Sequence, residues 1–136
     1  MKKSVKSILL YIHQLPQNLL GLVITKILRA KLMLFNHGNS CIPIYYVDEM
    51  VFVSLGQYII LCNKDKSVRS KLHEYGHTKQ SLMLGWLYLI IIGLPSITCA
   101  IYSNLFHSKW TKEQRDKWYF SLLWEKWADN LGGVKR

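Results

Sequence analysis

His73-Glu74-Tyr75-Gly76-His77 is the stretch from which the rest of this chain is read. On a helix, two histidines four positions apart share a face, and Glu74, about 100° round from His73 and about 60° from His77, borders that face. Two neutral imidazoles in this arrangement can hold one divalent ion, and Zn²⁺ suits such nitrogen donors. The carboxylate is then left beside the ion, free to act as a general base. The bland alternative is a polar helix face on which two histidines happen to be neighbours. A third ligand elsewhere in the chain decides between the two readings.

The candidate is Glu125, which with Asp129 forms a second pair spaced by four residues. The segment from Thr111 to about Asn130 reads as one helix. Thr111 is its cap, Glu113 falls in the first turn, and Gly132-Gly133 is the stop. In that helix both carboxylates sit in the last turns, where they repel each other and oppose the macrodipole. A metal offsets both penalties if Glu125 binds it and Asp129 accepts the free ring N–H of a ligating histidine. A solvated acidic patch near Lys126 and Lys135 is the alternative.

These residues carry a family resemblance. His73-Glu74-Tyr75-Gly76-His77 followed by Glu125-Lys126-Trp127-Ala128-Asp129 resembles the H-E-x-x-H and E-x-x-A-D pair of the gluzincin peptidases. The membrane-integral group that includes the CAAX prenyl proteases and the bacterial heat-shock membrane protease is the most similar. The resemblance covers the two motif helices and the hydrophobic segment between them. It implies His73, His77 and Glu125 as zinc ligands, Glu74 as general base and Asp129 as the orienting carboxylate. No residue for oxyanion stabilisation is matched, which leaves Tyr119, Tyr46 and His107 as candidates.

Around the motif the local signals agree with a helix over residues 67–80. Ser67 is placed to cap it after the turn Asn63-Lys64-Asp65-Lys66. Gly76 inside it costs about 1 kcal/mol relative to alanine, which a close backbone approach by a neighbouring element would explain. Gln80 lies on the histidine face seven residues after His73, where it could touch substrate or a partner of the metal ligands, though a plain polar contact is the simplest role. Upstream, Ile42–Tyr46, Met50–Leu55 and Gln57–Cys62 are β-branched and aromatic runs separated by turn residues. They predict a small antiparallel sheet over residues 41–62, placed either to pair with an extended substrate or simply to cover the helix.

Two segments look made for a membrane. Gln80 to Phe106 is 27 residues without Asp, Glu, Lys or Arg, long enough to cross a bilayer, with Gly93 and Pro95 marking a kink or hairpin tip. Residues 1–35 begin with a basic Met1–Lys6 and continue as apolar sequence with Lys26, Arg29 and Lys31 interspersed, the pattern of a helical arm lying in the interface. Gln14, Pro16, Gln17 and Asn18 interrupt it, and no small-residue cleavage site follows, so a retained segment fits better than a signal peptide. A straight crossing over 81–106 would leave Glu125 on the wrong side of the membrane from His77. Either that segment is a hairpin turning at Gly93–Ser96, or the last helix returns to the level of His77.

Charge and cysteine content bound the remaining classes. Eighteen Lys plus Arg against eight Asp plus Glu leave a formal +10, which favours a headgroup surface. Nucleic acid is not the expected partner, because the aromatic residues sit in apolar runs and are not interleaved with the basic ones. Cys41, Cys62 and Cys99, odd in number and without C-x-x-C spacing, indicate neither a disulfide framework nor a cysteine metal site.

The expectation is therefore one α+β domain of 136 residues. It has a minimal zincin-like arrangement in which a small antiparallel sheet lies beside the H-E-x-x-H helix and a C-terminal helix brings Glu125, with membrane-associated hydrophobic helices around them. The function it implies is a zinc-dependent peptidase at a membrane, acting on a peptide or protein with its site on the cytoplasmic side. The alternative is a non-catalytic membrane-surface scaffold or an inactive relative.

Overall fold

The computed structural model describes residues 2–136; Met1, at the head of the expected arm, lies outside them. Among the described residues, six α-helices and one four-stranded sheet make an α+β fold. Helices α1 (Lys2–His13) and α2 (Leu15–Ile27) come first, then strands β1 (Lys31–His37), β2 (Ser40–Val47), β3 (Phe52–Leu55) and β4 (Tyr58–Cys62). Helix α3 (Val68–Leu84) follows, then a 3₁₀ turn (Gly85–Leu87) and a π-helical turn (Leu89–Gly93) leading into α4 (Leu94–Phe106). Helices α5 (Lys112–Tyr119) and α6 (Leu123–Gly132) end the chain.

The sheet corrects two expectations. Residues 31–35 are not part of a helical arm: α2 ends at Ile27, Arg29 takes a left-handed φ of 50°, and β1 begins at Lys31. Strand β1 pairs antiparallel with β2, from Lys31 opposite Tyr46 to His37 opposite Ser40. The sheet is also mixed rather than antiparallel. Its order is β1-β2-β4-β3, and β2 runs parallel to β4, with Ile44 opposite Ile59. The reason lies in β4. Ile59, Ile60, Leu61 and Cys62 are all buried, so this run takes the centre of the sheet and displaces β3 to the edge. Strand β3 follows β2 in sequence but reaches the sheet only through its hairpin with β4.

One face of the sheet carries the core of Ile42, Ile44, Tyr46, Ile59 and Leu61, against which Phe35 and Tyr75 of α3 pack. Helix α3 is held on its other side by α6 at very short range. A Cβ on Gly76 would fall on the carbonyl oxygen of Ala128, and one on Gly132 on the carbonyl oxygen of Leu72. The close backbone approach expected at Gly76 is thus reciprocal, and α6 supplies it.

The N-terminal helices dock through the residues that interrupt their apolar sequence. Gln17, fully buried, donates from Nε2 to Ser81 Oγ (3.0 Å) and to the Gly85 carbonyl (2.7 Å). Ser81 in turn donates to Gln14 Oε1 (2.8 Å), and Asn18 Oδ1 accepts the Gln57 amide. Their outward faces stay apolar, with Leu19, Val23 and Ile27 exposed.

The apolar stretch after α3 does not turn at Gly93–Ser96. Gly93 has helical dihedrals, and Leu89–Phe106 is one continuous helix, long and apolar enough to cross a membrane. Helix α3 itself stops earlier, at Gly85, whose φ of 56° ends it. The chain then comes back beside α4: Trp118 packs on Tyr102, and the Tyr119 hydroxyl donates to the Ser96 carbonyl at 3.4 Å. This path along α4 brings α6, and with it Glu125, to α3. The returning segment is two helices, not one over 111–130. Thr111 caps α5 in a capping box with Gln114, and residues 120–122 separate it from α6.

Candidate metal centre

The site forms where α3, α4 and α6 meet. Ser67 accepts the Ser70 amide (3.4 Å) and so fixes the start of α3, which presents His73, Glu74, His77 and Gln80 on its buried face. The break at residues 120–122 changes the status of Glu125. It lies in the first turn of α6, where the macrodipole favours a carboxylate, and not in the last turns of one long helix. Asp129 follows one turn later on the same face.

His73, His77 and Glu125 come together as a buried group that can hold a metal ion. Glu125 Oε2 stands 3.1 Å from His73 Nε2 and 3.1 Å from His77 Nε2. Tetrahedral ligands at 2.0–2.1 Å from a shared zinc are about 3.3 Å apart, so these separations already match a coordination shell. The imidazole planes are at 88° with centroids 4.8 Å apart, an edge-to-face arrangement, and both Nε2 atoms approach the same Glu125 oxygen.

The opposite ring nitrogens fix which form each histidine takes. His73 Nδ1 lies 2.7 Å from Asp129 Oδ1, and His77 Nδ1 lies 2.7 Å from Gln80 Oε1. Gln80 has its amide oriented by a bond from Nε2 to the Trp124 carbonyl (2.8 Å), so its oxygen must face His77. Both Nδ1 atoms therefore carry hydrogen and donate, which leaves both Nε2 lone pairs directed at a carboxylate oxygen. Three electron-pair donors converging in a dry site require a cation between them, either a metal or a proton.

The same residues compete for protons. Burial disfavours charge on His73, but its hydrogen bonds with Asp129 and Glu125 and the nearby Glu74 and Glu125 charges outweigh that and push its pKa up to about 9. Burial likewise works against ionised Glu125, yet the His73, His77 and Ser96 hydrogen bonds hold it well below the usual carboxylate range. Asp129 is depressed in the same way: burial opposes its charge, and His73 and Arg136 overcome it.

The remaining neighbours sort the predicted residues. Glu74 is buried, with Ser54 Oγ 2.9 Å from its Oε2 and 2.7 Å from its carbonyl oxygen, which ties it to edge strand β3. Ser96 of α4 donates to Glu125 Oε1 (2.6 Å) and so leaves Oε2 for the shared point. Of the oxyanion candidates, Tyr119 is at the site. Burial and then the Glu125 charge push its pKa up, so its hydroxyl keeps its proton. Tyr46 belongs to the sheet core, and His107 stacks on Trp110 at 3.7 Å away from the histidines.

Gln80 takes the second of the roles weighed for it, a contact behind His77 and not a plain polar one, and its place on the histidine face was the signal. Ser54, Ser96, Phe120 and Arg136 gave no local signal; only the fold brings them to the centre. The three cysteines are free, and none belongs to the His73, His77 and Glu125 group, although Cys99 lies within reach of the Glu125 charge. No family model matches the chain, and no curated protein or solved structure is similar to it.

Proposed function

We propose that this chain is a zinc-dependent peptidase working at a membrane, with His73, His77 and Glu125 as zinc ligands and Glu74 as general base. The observation that carries the reading is the approach of Glu125 Oε2 to 3.1 Å from both Nε2 atoms, although Glu125 lies 48 positions beyond His77 in the chain. Two nitrogens and one carboxylate oxygen with a fourth position open are the donor set of a hydrolytic zinc, and the gluzincin resemblance of the two motifs agrees with it. A zinc ion held here supplies Lewis acidity: it polarises a carbonyl and brings the pKa of water to about 7.

The chain's own residues supply the rest. Glu74 accepts a proton from the attacking water and delivers it to the leaving amine. Ser54 holds the Glu74 carboxylate, and Asp129 and Gln80 hold the two imidazoles in the coordinating tautomer. Tyr119 keeps its proton, and its hydroxyl, by turning from its long 3.4 Å bond to the Ser96 carbonyl, would donate to the developing oxyanion. The extended peptide lies along β3, which is paired on one side only; Tyr88 donates to the Ser54 carbonyl (3.0 Å), so the open part of the edge is at Phe52.

Membrane lipids are the second partner. The Leu89–Phe106 helix exposes Ile90, Leu94, Ile97, Ile101 and Leu105, which supports this reading, and the site is proposed to face the cytoplasm. Purified Glu74→Gln protein is expected to keep its zinc and lose peptide hydrolysis. Hydrolysis at the wild-type rate would overturn the mechanism, and wild-type protein that binds zinc without cleaving peptides would leave the scaffold reading in its place.

A further inference from the structure

We propose that Arg136 is a positioning residue of the metal centre, acting on His73 through Asp129; the inference rests on the metal reading above. Arg136 Nε donates to Asp129 Oδ2 at 2.6 Å and Nη2 to Asp129 Oδ1 at 3.2 Å, a two-pronged grip on the carboxylate that receives the His73 Nδ1–H at 2.7 Å. The guanidinium also lies over the Phe120 ring, 3.4 Å from its centroid, and Phe120 meets the His73 ring edge-to-face at 5.0 Å. Arg136 thus reaches His73 by two routes, one polar and one through an aromatic ring.

An exposed ion pair would do little here, but Asp129 is buried at 6 % exposure and has few ways to turn. Its Oδ1 serves both His73 and Arg136, so rotation of the carboxylate to follow a lost guanidinium would carry the His73 acceptor with it. The fork matters as well as the charge. A lysine at 136 would keep the positive charge but could neither span both oxygens nor stack flat on Phe120. Arg136 also offsets the Asp129 charge beside a centre that already contains Glu125, which keeps the carboxylate from accumulating excess negative potential.

The test is a double-mutant cycle read by zinc affinity in chelator competition, with the visible absorption of the cobalt-loaded protein as a record of coordination geometry. Replacing an outer partner of a metal ligand costs about 10- to 100-fold in affinity, and Arg136, one bond further out, is expected to cost about 3- to 10-fold as Arg136→Gln. Arg136→Lys should fall with Arg136→Gln, and both should alter the cobalt spectrum. In an Asp129→Asn background the Arg136→Gln change should have no further effect. Unchanged affinity and spectrum in Arg136→Gln, wild-type behaviour of Arg136→Lys, or an equal loss in both backgrounds would overturn the inference. A wild-type chain that takes up neither zinc nor cobalt would overturn the metal reading itself, and this inference with it.

Discussion

At the scale of single residues, protons compete with a metal for the centre. His73 keeps its proton up to about pH 9, against an ordinary 6.5. Its pairing with Glu125 and Asp129 therefore contributes stability that is fully present below about pH 6.5 and is lost as pH rises through about 9. Zinc needs the same nitrogen without that proton. Zinc uptake at pH 7 should then release about one proton, and apparent affinity should rise about tenfold per pH unit between 7 and 9. Calorimetric titration in two buffers of different ionisation enthalpy measures the release directly. A binding enthalpy independent of buffer would show that His73 is not protonated in the free site. His77→Ala and Glu125→Gln should each abolish tight zinc binding, the latter while leaving the Ser96 contact to the amide.

At the scale of elements, the two halves of the site are set by how closely α3 and α6 approach. Gly76→Ala would raise helix propensity by about 1 kcal/mol on its own. The new methyl meets the Ala128 carbonyl, however, and backbone cannot yield as a side chain can. Overpacking of this kind costs about 1–3 kcal/mol, so the net sign is destabilising, and α6 carries Glu125 away with it. Lower thermal stability together with weaker zinc binding is expected; a more stable variant would show that the helices are not so tightly apposed. This contact was legible in the sequence as an unexplained glycine inside a helix, and the H-E-x-x-H face, the Ser67 and Thr111 caps and the pairing of Glu125 with Asp129 were legible for the same reason: each is local. The parallel β2–β4 pairing was not, because no local pattern says which strand takes the centre. Strand β1 was hidden by lysines and apolar residues whose spacing also fits a helix, and the break after Tyr119 by a run of seven uncharged residues from Trp118 to Trp124.

At the scale of the whole molecule, the two motif helices meet only because the intervening apolar chain goes out and returns. The Leu89–Phe106 helix touches the centre just before its middle, through Ser96, and α5 comes back along it to Tyr119. The apolar side chains left facing outward on α2 and α4 are those a bilayer would cover. Protein reconstituted in anionic vesicles should stay with them through a high-salt and alkaline wash. Ile97→Lys with Ile101→Lys should release it, each lysine costing about 3 kcal/mol at membrane depth. Wild-type protein recovered in the wash would place these faces against another partner. The account as a whole depends on one closure, that of Glu125 onto His73 and His77. X-ray absorption at the zinc edge of the purified protein measures it most directly. The predicted result is a first shell of two imidazole nitrogens and carboxylate oxygen at about 2.0–2.2 Å, with about one zinc per chain. A shell containing sulfur, a shell unchanged in Glu125→Gln, or protein that holds no zinc would contradict it.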